Sequence, residues 1–303
     1  MGVNLNFNFG EVLSRAVRLT WRHKILWVLI LLPVLPSFLF IPFFIAPLFL
    51  LGENSSQTAE TVSLIVLLSL ILVFILFSIL FNTICMTSAT LGVIRADRGR
   101  GSLSFLSLLQ DGAPYFSRVL GVILIVGLSV GLLFSLFFAF VMVATLVTMG
   151  MAAICLQPIM ILLTPLMFLI VGVMEGAQTA VISKDLGAWE AVKDAFLVVR
   201  AHVWKYVILT LIIYFGSTIL SSFIMVPLMV PLFAIPFLMD PNAGLEADMM
   251  VGVMVVFSLI FFQVMLAIQG LVGTFMKVTL DIIYLGLAFQ PASDSAALSE
   301  AGR

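Results

Sequence analysis

Residues 62–94 read VSLIVLLSLILVFILFSILFNTICMTSATLGVI. No charged residue interrupts this stretch, and it is longer than the roughly 20 residues that an α-helix needs to cross a bilayer. Its apolar residues do not alternate with polar ones, as they would in a strand of a membrane β-barrel. We therefore predict a transmembrane helix here, which places the chain among α-helical membrane proteins.

Five further apolar runs flank this stretch. They lie at about 25–51, 119–148, 151–174, 206–239 and 250–276. Of the 303 residues, 63% are hydrophobic and 10% are charged, whereas a soluble domain carries about 25% charged residues. We therefore predict an all-α membrane protein with six transmembrane helices. The net charge of -1 gives no reason to expect a nucleic-acid partner.

The basic residues predict how these helices are oriented. All 14 lysines and arginines lie before the first run, between the second and third, between the fourth and fifth, or after the sixth. The loops on the other side, GENSSQTAET at 52–61 and MDPNAGLEADM at 239–249, carry only acidic charges. Because basic loops stay in the cytoplasm, we predict a multi-pass protein of the cell (inner) membrane with both termini cytoplasmic. The polar start MGVNLNFN leads us to expect no cleavable signal peptide.

A pattern recurs about every 90–100 residues along the chain. Each odd-numbered run follows a short amphipathic stretch, and we predict interfacial helices at 9–24, 102–118 and 188–204. The middle stretch is weaker because Gly112 and Pro114 interrupt it. In the last stretch we expect the apolar face to consist of Trp189, Val192, Phe196, Val199 and Val203.

The even-numbered runs also end alike, with MTSATLGVIRADRG at 86–99 and MEGAQTAVISKDLG at 174–187. We expect Asp97 and Asp185 to end their helices, and Asp281 in KVTLDII is a fainter third copy. We therefore predict three pseudo-repeats, at approximately 1–97, 98–185 and 186–285. They form a single membrane domain, 1–289, followed by a flexible cytoplasmic tail, 290–303.

Three stretches carry a resemblance to a known family. They are FGEVLSRAVRLTWRHKILWVL at 9–29, RADRGRGSLSFLSLL at 95–109 and SKDLGAWEAVKDAFLVVRAHVWKYV at 183–207. Through them the chain resembles an uncharacterised bacterial six-span membrane protein family related to the membrane domain of glycerophosphoryl diester phosphodiesterases. Hydrolysis in those enzymes belongs to a separate soluble barrel, for which this sequence leaves no room. The resemblance therefore implies no catalytic residue.

Polar residues within the apolar runs are the candidates for a functional site. They are Glu175, Asn82, Gln157, Gln263 and Gln269. A charged side chain at the bilayer centre costs roughly 2.5–3.5 kcal/mol, so Glu175 is a candidate for a proton or ion site. We favour the alternative that Glu175 is interfacial or ion-paired, because Lys184 is near in sequence. We expect the amides to form hydrogen bonds between helices.

His23 and His202, the only 2 histidines, occupy the same place in AVRLTWRHKILWV at 16–28 and AFLVVRAHVWKYV at 195–207. Arg118 takes that place in the middle unit, which favours an anchor at the interface over a catalytic or metal-binding role. No sequence cluster of His, Cys, Asp and Glu supports a metal or other cofactor. We expect Cys85 and Cys155, in opposite leaflets, to be small core residues.

Prolines give the strongest indication of a role beyond packing. They occupy three runs, at Pro33, Pro36, Pro42, Pro47, Pro158, Pro165, Pro227, Pro231 and Pro236. Helices broken by proline are common around transporter sites but also in helices that merely bend. The chain has no GxSxG, HExxH or CxxC motif and no phosphate-binding glycine loop.

Two functions remain open at this point, ahead of a third, an intramembrane enzyme. The first is a non-enzymatic inner-membrane scaffold or assembly factor for envelope processes. The second is a small transporter or lipid-handling protein that uses the proline-broken spans. A polar-lined cavity at membrane depth would favour the second, and a closed apolar bundle the first. We expect membrane lipids as partners in either case, together with another membrane protein or further copies of the chain.

Overall fold

The computed structural model describes residues 9–36, 57–99, 103–238 and 247–289. All regular structure in these ranges is helical. The helices are α1 (Phe9–Arg22), α2 (Ile25–Leu31), α3 (Gln57–Asp97), α4 (Phe105–Gly112), α5 (Phe116–Val147), α6 (Met151–Lys184), α7 (Ala188–Ala201), α8 (Val203–Leu238) and α9 (Ala247–Ala288). Short 3-10 turns at Leu32–Val34 and Ala113–Tyr115 follow α2 and α4.

Five stretches of the described chain are long and apolar enough to cross a membrane. They are Thr61–Asp97, Phe105–Val147, Leu163–Lys184, Val203–Phe223 and Gln263–Ala288. The first predicted run is described only in its initial part, where Ile25–Val34 is a shorter apolar helix. The rest of that run and the tail at 290–303 lie outside the described residues. The fold is therefore that of an all-α, membrane-embedded protein.

The backbone conformation and residue type at the ends of α3, α5 and α6 explain where these helices stop. The turn between α5 and α6 is tight and places Met149 at φ 52° and Gly150 at φ 96°. Asp185 ends α6 in the left-handed conformation at φ 56°, and Asp97 is the last residue of α3. The predicted helix-ending role of these two aspartates is confirmed.

Asp281, the fainter third copy of those aspartates, differs from them because it does not end its helix. It lies inside α9, which continues to Ala288, and its side chain is fully buried. The apolar run ends near residue 276 in the sequence, but the helix does not. Its last turns are covered by protein, so they can carry polar side chains without leaving the helix.

The prolines interrupt fewer helices than we predicted. Pro33 lies in the 3-10 turn that follows α2, and the chain is helical again at residues 35–36. Pro158 and Pro165 lie within a continuous α6, and α8 continues through residues 227–236. Neighbouring helices can satisfy the carbonyl groups that proline leaves free, so a transmembrane helix tolerates it. Pro42 and Pro47 lie outside the described residues.

The helices pack in a cyclic order. The helices α3, α6 and α9 each contact the other two. Between them, α2 contacts α9 and α3, α5 contacts α3 and α6, and α8 contacts α6 and α9. The short amphipathic helices follow the same rule, since α1 packs on α9, α4 on α3 and α7 on α6. Thus α2, α5 and α8 each contact two of the three helices α3, α6 and α9.

The packed core lies in the C-terminal parts of α3, α6 and α9. Its buried residues include Ala89 and Val93 of α3, Ala177 and Val181 of α6, and Ile283 of α9. Glycines let large side chains approach closely. A Cβ at Gly176 would lie 2.9 Å from the ring of Tyr284, and one at Gly172 would lie 2.9 Å from the ring of Tyr206.

Two expectations about individual side chains need correction. Cys85 is buried as expected, but Cys155 is exposed on α6 and is not a core residue. The face of α7 that is turned to the bundle is formed by Ala191, Ala195 and Val199. Trp189 and Phe196 are exposed, because only small residues fit between α7 and the helices on which it packs.

Candidate functional site

Two helices share a buried group of charged side chains. The Lys277 Nζ of α9 lies 2.6 Å from Oε2 of Glu175 on α6 and 3.7 Å from Oδ1 of Asp281 on its own helix. The exposed fraction of the side chain is 4% for Lys277, 0% for Asp281 and 18% for Glu175. A buried lysine is stabilised in its charged form only when carboxylates surround it in this way. We call these three residues the charged triad.

The spacing of the polar residues explains how the charged triad forms. Glu175 and Thr179 are four residues apart on α6, and Lys277 and Asp281 are four residues apart on α9, so each pair lies on one helix face. Glu175 contacts Lys277, and Thr179 contacts Asp281 one turn further along both helices. This order of contacts means that α6 and α9 run parallel here, with their polar faces in register.

The hydroxyl of Thr179 connects the triad to the backbone of α6. Its Oγ1 lies 2.9 Å from Oδ1 of Asp281 and 2.9 Å from the carbonyl oxygen of Glu175. The second carboxyl oxygen of Asp281, Oδ2, is buried and has no hydrogen-bond partner among the described residues. The hydroxyl of Tyr206, on α8, is also buried and without such a partner there.

A second polar group lies nearer the ends of the same helices. Lys184 Nζ is 2.8 Å from Oδ2 of Asp194 on α7, and the Tyr284 hydroxyl donates a hydrogen bond to the same oxygen. Lys184 also lies over the Tyr284 ring, 5.5 Å from its centroid. These contacts join α6, α7 and α9, and they are separate from the charged triad.

The sequence predicted a partner for Glu175 but named the wrong one. Glu175 is ion-paired, as we favoured, but with Lys277, whereas Lys184 pairs with Asp194. Lys277 and Asp281 were missed as site residues. The sequence did contain a signal for these two residues. Lys277 and Asp281 carry opposite charges and are four residues apart, so on a helix they lie on the same face and can form an ion pair.

Two of the predicted amides line one cavity. Asn82 of α3 and Gln269 of α9 both line a space of about 540 Å³ between α2, α3 and α9. We call this space the amide cavity. Its other walls are mainly apolar, namely Ile30, Leu31, Pro33, Val34, Phe74, Ser78, Ile79, Met86 and Gly273. Gln269 is exposed, as are Gln157 on α6 and Gln263 on α9, but Gln157 and Gln263 do not line the cavity.

A second space of about 410 Å³ lies between α1, α8 and α9. Its walls are apolar side chains such as Leu13, Trp21 and Phe275, together with Thr20. Thr20 is buried, and its hydroxyl has no hydrogen-bond partner among the described residues. Its lining contains no amide or charged side chain, which distinguishes this space from the amide cavity.

Both histidines lie where an amphipathic helix gives way to a longer one. His23 falls between α1 and α2, and His202 follows the last residue of α7, with Nδ1 3.2 Å from the carbonyl oxygen of Val198. Partial burial, together with Arg22, lowers the pKa of His23. Arg118 lies inside α5 instead, where Nη1 contacts Oδ1 of Asp185 at 2.5 Å. No group of three or more His, Cys, Asp and Glu residues suited to a metal occurs in the described parts of the chain.

Comparison of the chain with protein-family models, with curated proteins and with solved structures gave no match. The fold and the buried polar groups therefore carry the functional argument alone. They define an α-helical, membrane-embedded protein with a charged triad between α6 and α9 and an amide-bearing cavity between α2, α3 and α9.

Proposed function

We propose that the chain is a six-span protein of the bacterial inner membrane, built from three pseudo-repeats and with both termini in the cytoplasm. The cyclic order of helix contacts supports three equivalent units, because α2, α5 and α8 each lie between two of the three central helices. The contacts of α2, the start of the first run, support counting that run as the sixth span. The relation of the whole chain to the membrane domain of glycerophosphoryl diester phosphodiesterases stays a prediction from the three stretches quoted above.

The positions of the basic residues support the proposed orientation. Arg15 pairs with Asp97, Arg95 with Asp111, and Arg118 with Asp185. All these pairs lie at the packed end of the bundle, where the short amphipathic helices also lie. Basic side chains at a membrane surface favour the cytoplasmic leaflet, which is rich in anionic lipids.

Within that architecture, we infer a non-enzymatic, lipid-handling role centred on the amide cavity. The observation that carries this inference is that Asn82 and Gln269 both line a mainly apolar space of about 540 Å³. Ligand sites are typically spaces of about 300–1,000 Å³ with apolar walls and a few converging polar groups. Because the cavity is formed by helices that lie in the bilayer, a membrane lipid is the ligand with access to it. The two amides can bind its ester or headgroup oxygens while its acyl chain lies along Phe74 and Ile30.

Mass spectrometry of lipids retained by the purified protein tests this role. We expect Asn82→Leu and Gln269→Leu to lose a lipid species that the unchanged protein retains, because each removes a polar group from the cavity. Gln263→Leu is the matched control, since it removes an exposed amide from the same helix as Gln269 but outside the cavity. Equal lipid retention in all three variants would contradict the proposal.

A scaffold or assembly role is the second candidate, and a different observation favours it. Large apolar side chains on α5 are left exposed by the rest of the chain, including Leu128 at 68%, Leu136 at 64% and Phe140 at 64%. Such surfaces can bind lipid tails, another membrane protein or a further copy of the chain. Recovery of a stoichiometric protein partner from native membranes, with no lipid species dependent on Asn82 or Gln269, would favour this role over lipid handling.

A further inference from the structure

The charged triad contains more negative than positive charge. If every group is ionised, Glu175 and Asp281 each contribute one negative charge and Lys277 contributes one positive charge. Lys277 Nζ is much closer to Glu175, at 2.6 Å, than to Asp281, at 3.7 Å. The ammonium therefore pairs with Glu175 first, which leaves the carboxylate of Asp281 as an excess charge in a fully buried position. An excess charge of this kind is costly within a membrane protein.

The hydrogen atoms available near Asp281 lead to the same conclusion. The Thr179 hydroxyl has two oxygen neighbours at 2.9 Å, the Glu175 carbonyl and Asp281 Oδ1, but it has one hydrogen to donate. An ionised Asp281 could only accept, so one of these two contacts would join two oxygens without a full hydrogen bond. A protonated Asp281 removes the conflict, because its O–H can donate to Thr179 while Thr179 donates to the carbonyl oxygen.

The second oxygen of Asp281 gives a third, independent reason. Asp281 Oδ2 is buried and has no partner among the described residues. A buried carboxylate normally accepts several hydrogen bonds, whereas a neutral carboxylic acid needs fewer. The number of partners around Asp281 thus fits the neutral acid better than the anion.

We propose that Asp281 is a proton-binding site, and that the bound proton holds α6 and α9 together by making the charged triad electrically neutral. Loss of the proton places an unpaired carboxylate between the two helices and so favours their separation or the entry of water. The proposal does not depend on lipid handling at the amide cavity, because none of the triad residues lines that cavity.

The groups that face Asp281 come from three helices. Lys277 lies on the same helix, and Glu175 and Thr179 lie on α6. The Tyr206 hydroxyl of α8 is close enough to interact electrostatically with Asp281. The other helices packed on α9 direct their paired charges elsewhere. Arg15 of α1 pairs with Asp97 of α3, Arg95 of α3 pairs with Asp111, and Asp194 of α7 binds Lys184 and Tyr284, while α2 has no charged residue.

Infrared spectroscopy of the full chain in a detergent without ester groups, such as an alkyl maltoside, tests the proposal directly, because a protonated carboxyl has a C=O stretch that is separate from those of carboxylates and amides and the detergent contributes no C=O band. We expect the unchanged protein to show this band at neutral pH and Asp281→Asn to lack it. Asparagine has nearly the same shape, and its amide can still donate to Thr179. Asp97→Asn is the matched control, since Asp97 is ion-paired with Arg15, 2.7 Å away, and this variant should retain the band.

Isotope labelling keeps the test decisive if Asp281→Asn fails to fold. Labelling the carboxyl carbon of all aspartates in the unchanged protein should shift the band, and labelling glutamates should not. A band that shifts only with glutamate, or the absence of any carboxylic-acid band at neutral pH, would overturn the proposal. If the band is missing and sodium ions stabilise the protein more than potassium ions do, the proposal is also wrong, because a metal cation then supplies the neutralising charge.

Discussion

Removing the positive charge of the charged triad should strongly destabilise the protein. The Lys277→Met variant keeps most of the side-chain volume but leaves Glu175 without its partner at 2.6 Å. At an effective dielectric constant of 20, two unit charges at this separation attract each other by roughly 6 kcal/mol, part of which offsets the cost of burying them. Breaking a buried ion pair from one side typically costs about 3–5 kcal/mol, and we expect a loss in this range.

Removing both charges should restore much of that loss. In the Glu175→Gln, Lys277→Met double variant no unpaired charge remains on this pair, so we expect its free energy of unfolding to be about 2 kcal/mol or more above that of Lys277→Met alone. The assay is reversible denaturant unfolding of the purified protein in mixed micelles, arranged as a double-mutant cycle. Lys193→Met, on the exposed side of α7, is the control and should change the free energy of unfolding by less than about 0.5 kcal/mol.

Additive effects would refute this reasoning. If the two single variants sum to the double variant, the 2.6 Å contact contributes no coupling energy, and Glu175 and Lys277 are not a pair in the membrane. A stable Lys277→Met variant would refute it equally, because no uncompensated buried charge would then have been created.

Three further variants test the packing of the helices and the role of the two histidines. Gly176→Ala places a Cβ 2.9 Å from the ring of Tyr284, so thermal unfolding should show a loss of about 1–3 kcal/mol. Ala195→Asp puts a charge on the buried face of α7 and should cost more than about 3 kcal/mol, measured as the yield and stability of membrane-inserted protein. His23→Arg and His202→Arg together should leave abundance and complementation of a deletion strain unchanged, because we interpret both positions as polar anchors.

Each of these substitutions has a control in the same chain. Gly131→Ala meets no neighbour within 4 Å and should be neutral or stabilising by up to about 1 kcal/mol, so equal losses at both glycines would contradict the packing argument. Lys193→Asp changes an exposed position of α7, and harm equal to that of Ala195→Asp would show that α7 is not packed as described. A double arginine variant that is abundant and folded but inactive would assign chemistry to the histidines, since arginine cannot release a proton.

The apolar runs made the membrane class predictable from the sequence, because a charge-free stretch such as 62–94 has few alternatives to a bilayer-spanning helix. The ends of the helices were less predictable. Hydropathy locates the part of a helix that lipid covers, whereas α6 and α9 continue into a region that other helices cover. Lys277 and Asp281 lie in that region, so the sequence pattern assigned them to the membrane flank and to a repeat instead of a site.

The faces of the short helices show a second limit. An amphipathic pattern separates apolar from charged residues, but it does not say which apolar residues meet protein and which meet lipid. On α7 the protein side is formed by the small Ala191 and Ala195, while the large Trp189 and Phe196 remain exposed. The sequence likewise could not predict that Asn82 and Gln269 line the same cavity, because this depends on how α3 and α9 are placed around α2.

Thiol labelling in intact cells tests the proposed six-span architecture most directly. Single cysteines are placed at Ser55, Ser102 and Ala243 in a chain whose own Cys85 and Cys155 are replaced by serine or alanine. The account predicts that an impermeant thiol reagent added outside reacts at Ser55 and Ala243 and reaches Ser102 only after the membrane is opened. Labelling of Ser102 alone in intact cells would reverse the orientation, and labelling of only one of Ser55 and Ala243 would contradict the six-span count.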